Sequence, residues 1–183
     1  MHCKYRVGPR GIPELYEVFP DSHFNLIEPL QAFEGDLKRI LRRYQGDYVL
    51  AAGLVVGGGT FNAHSHQLDG SSLCKESMGS VADGDEVVVP QIRIDNVVKG
   101  HGRSGPDLIK IDVQGAELDG ATEILDDTEV IVLEVSYFEF MKGAPQLDAF
   151  IAYMKTRGFL TYELVHGRTA LSTMLSFKST LSL

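Results

Sequence analysis

The sequence predicts a single α/β domain whose mostly parallel sheet carries helices on both faces. Short apolar runs alternate with segments of helical periodicity, which is the pattern of strand and helix crossover units. Two of the runs, residues 107–113 and 129–135, are rich in Ile, Val and Leu, as are central parallel strands that are covered on both faces. A length of 183 residues, 44% of them hydrophobic, supports one core, so we expect residues 1–183 to form one domain.

Local signals define the elements of the first half of the chain. A first strand ends at Val7, and a turn over residues 8–11 leads into a helix with proline at its first turn. Apolar residues at helical spacing predict a second helix, and short apolar runs predict the strands. The predicted elements are helices over residues 13–19 and 30–44 and strands over residues 24–27, 48–52, 59–63 and 86–94.

The second half repeats the alternation. A helix over residues 116–125 follows the strand of residues 107–113, and the strand of residues 129–135 comes next. A further helix begins after Pro145 and stops at Gly158, a residue type that commonly ends helices. Residues 100–106 form a connecting loop, and two strands over residues 159–165 and 171–177 close the domain. The apolar side chains predicted to share one face of the last helix are Leu147, Phe150, Ile151 and Met154.

Charge and cysteine content exclude several classes of function. A net charge of −8 disfavours binding to nucleic acid or to an anionic membrane, since both depend on clustered positive charge. The basic residues within 38–43 form a solvated face of the predicted second helix. Two isolated cysteines indicate reduced thiols, and neither a long apolar span nor the hydrophobic centre of a signal peptide is visible. We therefore expect a cytoplasmic protein.

The segment of residues 107–117 predicts a functional site. Lys110 and Asp112 interrupt an otherwise apolar strand, where charge is costly unless it has a partner. Open α/β sheets bind ligands at the carboxyl ends of their strands, so Asp112, Gln114 and Glu117 would lie at the rim of a pocket. The alternative is a strand end with solvated acids.

A second group of residues indicates an adenosine site. Gly8 and Gly11 open a helix directly after the first strand, where backbone amides can approach a ligand closely. Glu28 follows the next strand, seventeen residues beyond Gly11, near the spacing at which an acid receives ribose hydroxyls. The alternative is a simple helix-opening turn and a surface acid.

The segment of residues 107–117, Asp-Leu-Ile-Lys-Ile-Asp-Val-Gln-Gly-Ala-Glu, resembles the signature of the FkbM-type methyltransferase family, with Gln114 in place of a glutamate. Shorter pieces resemble the family in the same order, at residues 19–21, 27–29, 71–73, 94–96 and 132–134. The resemblance implies a Rossmann-like class I methyltransferase fold, with a seven-stranded mostly parallel sheet and an antiparallel final strand. It also implies S-adenosylmethionine as cofactor and a hydroxyl acceptor on a small molecule, sugar or natural product.

The resemblance also implies roles for individual residues. It puts Gly8 and Gly11 beside the methionine part of the cofactor, Glu28 on the ribose, and Ala51 and Ala52 near the adenine. It puts Lys110, Asp112 and Glu117 near the methyl group and the acceptor.

Methyl transfer needs alignment of donor and acceptor and removal of a proton from the acceptor. Asp112 is the first candidate for that base, and Glu134 and Glu117 come behind it. Gln114 can orient the acceptor but cannot act as a base. For each acid the alternative is a helix-capping or ion-pairing role.

Two departures leave other functions open. Arg6 stands where the family usually has an aspartate, and the turn of residues 8–11 is one residue shorter than the family's turn. Both favour a non-catalytic module that binds a nucleoside or a partner. A nicotinamide-dependent oxidoreductase is a further alternative, although no Gly-x-Gly-x-x-Gly fingerprint follows the first strand.

We predict no metal site. His64, His66 and Asp69 could supply ligands, but their spacing is a poor match to a closed zinc site and is more typical of a polar loop. If a metal did bind, Asp112 and Glu134 would favour magnesium or calcium as hard oxygen ligands.

Overall fold

The computed structural model describes residues 3–4, 13–53, 59–63, 85–100, 105–111, 121–137, 146–166 and 172–182. Its helices are α1 (Pro13–Val18), α2 (Glu34–Leu41), α3 (Ile94–Gly100) and α4 (Leu147–Thr156), with short 3-10 helices at Gln31–Phe33, Ile124–Asp127 and Thr180–Ser182. Its strands are β1 (Cys3–Lys4), β2 (His23–Glu28), β3 (Gly46–Leu50), β4 (Ala52–Gly53), β5 (Gly59–Ala63), β6 (Asp85–Val89), β7 (Gln91–Ile92), β8 (Leu108–Ile111), β9 (Val130–Ser136), β10 (Phe159–His166) and β11 (Ser172–Ser179).

The strands combine parallel and antiparallel pairing. β1, β2 and β3 form one parallel sheet, and β8 pairs in parallel with β9. β11 runs antiparallel to both of its neighbours, β9 and β10. Cα atoms of β1 lie within 8 Å of Cα atoms of β8, so the three-stranded and four-stranded sheets adjoin. The predicted α/β class is therefore confirmed, and the seven-stranded sheet stays a prediction.

The main core lies on one side of the strands. Alternate residues of β8, β9 and β11 point toward α3 and α4, because side chains of a strand alternate between the two faces of a sheet. We call this side the apolar face, and it consists of Ile109, Ile111, Ile131, Leu133, Val135, Leu175 and Phe177. All of these side chains are buried, and Phe150 and Met154 of α4 pack against them.

The opposite side of the same three strands has a different composition. We call it the polar face, because it carries Lys110, Glu134, Ser176 and Lys178, together with the apolar residues Leu108, Val130 and Val132. Apart from Lys110, which is buried, these residues are half-buried. At β2 and β3 this side is covered by α1 and α2, where Tyr16, Phe24, Leu26 and Leu37 form a second, smaller core. Helices thus lie on both faces, as predicted.

Most predicted elements form with small shifts in their bounds. The end of the first strand, the turn of residues 8–11 and the start of the helix predicted over residues 116–125 lie outside the described residues, and the end of that helix is a turn followed by a 3-10 helix. Three further predictions were wrong in detail. Ile94, expected at the end of a strand, begins α3, because Ile94, Val97 and Val98 bury one side of a helix. The single helix expected over residues 30–44 is a 3-10 helix followed by the shorter α2. Ile151 was expected on the buried face of α4, yet it is 37% exposed because it lies beside the stripe formed by Phe150 and Met154.

Other predictions were confirmed. Gly158 ends α4 with φ of 80°, a left-handed conformation that glycine adopts readily. The basic residues of the second helix lie on its solvent side, where Lys38 pairs with Glu34 and Arg39 pairs with Asp36. No helix in the part of the chain described above is both long enough and apolar enough to cross a membrane.

Candidate active site

Glu28 ends β2 with a buried carboxylate. Its side chain is 1% exposed, and Oε1 accepts a hydrogen bond of 2.9 Å from the backbone N–H of Leu30. The bond spans two residues, so the turn that follows β2 fixes the orientation of the carboxylate. An acid held in this way at the carboxyl end of a parallel strand is suited to receive hydroxyl groups of a ligand.

Ala51 and Ala52 follow β3 directly and lie beside this acid in the sheet. The parallel register pairs Glu28 with Leu50, the residue before Ala51. Both alanine side chains are buried, and the backbone N–H of Ala52 donates a 2.8 Å hydrogen bond to the carbonyl oxygen of Pro90. The parallel pairing of β4 with β7 fixes the position of Ala52.

Lys110 and Glu134 lie on neighbouring strands at the other half of the sheet. Lys110 pairs with Val132 in the parallel register of β8 and β9, so Glu134 lies two residues farther along the same face. Lys110 is only 2% exposed, whereas Glu134 is half-buried. Both residues engage in further interactions. Lys110 and Glu134 thus share one face of two neighbouring strands, and their roles toward a ligand stay predictions.

The two groups of residues lie on the same side of the two adjoining sheets. Ile27 and Ile109 pack in the same core, so the neighbouring side chains, Glu28 and Lys110, both point to the opposite side. Five predicted site residues, Gly8, Gly11, Asp112, Gln114 and Glu117, lie outside the described residues. The structure thus brings Glu28 together with Ala51 and Ala52, and Lys110 together with Glu134.

One polar cluster was missed by the sequence analysis. Asp95 is completely buried in the first turn of α3 and pairs with Arg93, whose Nη2 lies 2.7 Å from Oδ2 of the carboxylate. Its other oxygen, Oδ1, accepts hydrogen bonds of 3.1 Å from the backbone N–H groups of Glu123 and Ile124. Those partners lie 28 and 29 residues away, so no local spacing could have indicated them. The local signals are an acid in the first turn of a helix and the family resemblance of residues 94–96, for which the sequence predicts no role.

A cluster of three residues away from the candidate site has shifted pKa values. Glu34 of α2 contacts Lys38 at 2.8 Å and accepts a 2.6 Å hydrogen bond from the hydroxyl of Tyr48 in β3. The hydrogen bond from Lys38, followed by that from Tyr48, lowers the pKa of Glu34. The hydrogen bond to Glu34 in turn raises the pKa of Lys38 and of Tyr48. This contact links α2 to the sheet and is separate from the candidate site.

A metal centre has no support among the residues with described positions. They contain no group of three or more His, Cys, Asp or Glu side chains that could hold a metal ion. His64, His66 and Asp69 lie outside these residues. Nε2 of His23 lies 2.8 Å from a carboxylate oxygen of Asp47.

Solved structures of methyltransferases have a similar fold at low sequence identity. The magnesium protoporphyrin IX methyltransferase from Synechocystis PCC 6803 with bound SAM aligns at a TM-score of 0.55 with 7% identity, over 98% of this chain and 70% of that one. TrmK from M. capricolum with S-adenosyl-homocysteine aligns at 0.56 with 7% identity, over 98% and 62%. The N-methyltransferase NodS from Bradyrhizobium japonicum WM9 aligns at 0.52 with 10% identity, over 97% and 85%.

These similarities establish the Rossmann-like class I methyltransferase fold. No curated protein matches the sequence. The family model of the methyltransferase FkbM domain matches residues 14–161, which is most of the chain. The match includes Glu28, Ala51, Ala52 and the segment of residues 107–117, and it confirms the predicted methyltransferase. The first two of the aligned structures hold S-adenosylmethionine or its product, which is the cofactor that the sequence resemblance implies. The chain therefore belongs to the FkbM methyltransferase family.

Proposed function

We propose that this chain transfers the methyl group of S-adenosylmethionine to a hydroxyl oxygen of a small molecule, sugar or natural product. The observation that carries the proposal is the buried, oriented carboxylate of Glu28 at the carboxyl end of β2, beside the small residues Ala51 and Ala52. A carboxylate offers about four acceptor sites, so it can serve a backbone N–H and a ribose hydroxyl together. The alanines leave space for a flat base against the end of β3.

The remaining contacts of the cofactor are assigned from the sequence. Gly8 and Gly11 would let backbone amides approach the methionine part, because glycine has no side chain to block that approach. We further propose that the adjoining sheets form one seven-stranded sheet in the order β3, β2, β1, β8, β9, β11 and β10. The parallel pairs on each side and the short distance between β1 and β8 support this order. Glu28 and Lys110 would then border one continuous site.

The acceptor half is assigned to Lys110, Asp112 and Glu134. Asp112 follows Ile111 directly in the chain, and Ile111 pairs with Leu133, the residue before Glu134. We propose that Asp112 accepts the hydroxyl proton as the oxygen bonds to the methyl carbon and the bond from that carbon to sulfur breaks. Lys110 and Glu134 orient the acceptor and balance the charge, and Gln114 and Glu117 contact the rest of the acceptor.

A titration with S-adenosylhomocysteine tests the cofactor half, because it needs no knowledge of the acceptor. Glu28→Gln keeps the size of the side chain and one acceptor oxygen, but it removes the charge and the second acceptor. Hydrogen bonds to charged groups contribute about 1.5–3 kcal/mol. We therefore expect the Kd from calorimetry to rise by roughly 10- to 100-fold.

The matched control is Glu129→Gln, an exposed acid that precedes β9 at the amino end of the strand. Its Kd should equal that of the wild type, since ligands of open α/β sheets bind at the carboxyl ends. Equal affinities of the wild type and Glu28→Gln for S-adenosylhomocysteine would show that Glu28 does not bind the cofactor. A folded wild-type chain that binds no S-adenosylhomocysteine would contradict the proposal.

The same titration separates the alternative functions. Binding of a nicotinamide dinucleotide in place of S-adenosylhomocysteine would favour the oxidoreductase. A labelled methyl group offered with a panel of hydroxyl compounds tests the reaction itself. Tight cofactor binding without transfer to any member of the panel would favour the non-catalytic module, to which Arg6 and the short turn of residues 8–11 point.

A further inference from the structure

A completely buried carboxylate lies outside the residues assigned to the ligands. Asp95 accepts three hydrogen bonds, from the N–H groups of Glu123 and Ile124 at 3.1 Å each and from Nη2 of Arg93 at 2.7 Å. A buried charge is costly unless such bonds satisfy it, and apolar residues of equal size often give equal stability. The function of Asp95 is therefore to fix the position of the groups that donate hydrogen bonds to it.

Asp95 holds the turn of residues 122–124, which opens the 3-10 helix Ile124–Asp127. Glu123 precedes this helix and makes no side-chain cap of its own, so the cap comes from α3. Two arginines hold the same turn: Arg93 donates to Oγ1 of Thr122 at 3.1 Å, and Arg157 donates to its carbonyl oxygen. The turn begins five residues after the segment of residues 107–117 ends.

The chain that carries Asp95 also supports the adenine side of the site. The carbonyl oxygen of Pro90 accepts the N–H of Ala52 at 2.8 Å, and β7 pairs with β4 in parallel. Only five residues separate Pro90 from Asp95. The stretch of residues 90–95 therefore contacts Ala52 at its beginning and the turn of residues 122–124 at its end.

We infer that Asp95 is a positioning residue that couples the two halves of the methyl-transfer site. Through residues 90–95, a ligand seated against Ala51 and Ala52 stabilises the turn of residues 122–124. This turn leads through the 3-10 helix Ile124–Asp127 into β9, the strand that carries Glu134 of the acceptor half. The inference rests on the proposed function, because it takes the adenosine part of the cofactor as that ligand. Coupling of this kind is reciprocal, so loosening the turn must weaken cofactor binding by the same factor.

Hydrogen exchange of the Glu123 and Ile124 amides, with and without S-adenosylhomocysteine, measures the coupling. In the wild type we expect the ligand to slow exchange of these two amides by at least about fivefold. In Asp95→Ala the slowing should disappear, and the Kd for S-adenosylhomocysteine should rise by a similar factor. Glu123→Gln is the matched control, because it removes the surface pair with Lys99 and leaves both amides and Asp95 in place.

A second variant keeps the test decisive if Asp95→Ala does not fold. Thr122→Val preserves side-chain shape and the bonds of Asp95, and it removes only the hydroxyl that Arg93 contacts. It should reduce the ligand-dependent slowing partially, with a matching rise in Kd.

Two results would overturn the inference in distinguishable ways. In the first, the wild type binds S-adenosylhomocysteine, but the Glu123 and Ile124 amides exchange equally fast with and without it, or Asp95→Ala binds it with the wild-type Kd. The proposed function then stands, and Asp95 serves only to stabilise the fold. In the second, the wild type does not bind S-adenosylhomocysteine, and the proposed function fails together with the inference.

Discussion

The two faces of β8, β9 and β11 use the same strands for different purposes. The apolar face is buried throughout and packs against α3 and α4, whereas the polar face carries Lys110, Glu134, Ser176 and Lys178 and is half-buried over most of its area. Since neighbouring residues of a strand point to opposite faces, each strand contributes to both. The apolar face accounts for the stability of this half of the fold, and the polar face supplies its charged groups.

Lys110 is the informative exception on the polar face. It is as buried as its neighbours Ile109 and Ile111, yet it must keep a charged amine at low exposure. Burial of a charge opposes folding unless good partners offset the loss of water. A fold selected for stability alone would have an apolar residue here, and this contrast supports the placement of Lys110 in the acceptor half of the proposed site.

Truncation on the apolar face should have the largest effect on stability. Phe177 is 1% exposed in β11, and replacing a buried phenylalanine by alanine costs about 3–5 kcal/mol because a cavity remains. The adjacent Ser176→Ala, on the polar face, should change the free energy of unfolding by less than about 0.5 kcal/mol. Urea unfolding of both variants measures the difference. Similar losses for the two variants would contradict the division of the sheet into two faces.

Replacement of Lys110 should have a smaller effect on stability. Lys110→Met keeps an unbranched side chain of similar length and removes the buried charge. The lost interactions and the lost desolvation cost largely cancel if the groups that Lys110 contacts keep access to water. We expect the free energy of unfolding in urea to change by at most about 1 kcal/mol. Methyl transfer should fall about 100-fold or more, with the Kd for S-adenosylhomocysteine nearly unchanged.

The matched comparison is Ile109→Ala, one residue away on the apolar face. It should lower the free energy of unfolding by about 2–5 kcal/mol. A loss of that size in Lys110→Met would mean that Lys110 neutralises a buried partner and serves the fold. Lys110 would then no longer be assigned to the acceptor half of the site.

The sequence predicts the apolar face better than any other feature. The run of residues 129–135 forms β9 over Val130–Ser136, because β-branched residues favour strands and the alternate residues Ile131, Leu133 and Val135 are buried on the apolar face. Ile94 was assigned to a strand by the same reasoning, yet it begins α3. Val97 and Val98 favour strands locally, and burial of one helix face against the core overrides that preference.

The candidate site is predictable only where its residues lie at strand ends. Glu28 was identified because an acid after the second strand has a recognised place in nucleotide-binding sheets. Asp95 was missed because its function in the fold depends on Glu123 and Ile124, and tertiary packing alone brings these partners together. Local spacing contains no information about such contacts.

A substitution of Glu34 should have the smallest effect on stability. Glu34 lies where α2 covers β3, on the same side of the strands as the polar face. Glu34 contacts Lys38 and Tyr48, and its pKa in the folded chain lies below the usual 4.5, chiefly because Lys38 donates a hydrogen bond to it. The ionised form is thus favoured by folding. The resulting stabilisation is present above pH 4.5 and is lost as the pH falls through the lowered pKa.

Glu34→Gln should therefore be slightly less stable than the wild type at pH 7, and the two proteins should converge as the pH falls well below 4.5. The effect is small because the contact is open to solvent and salt screens it. Thermal unfolding between pH 3 and pH 7, at low and high salt, gives the measurement. Asp36→Asn is the control, since Asp36 pairs with Arg39 within α2. Parallel stability curves for Glu34→Gln and the wild type would show that the Glu34 contact does not hold α2 on the sheet.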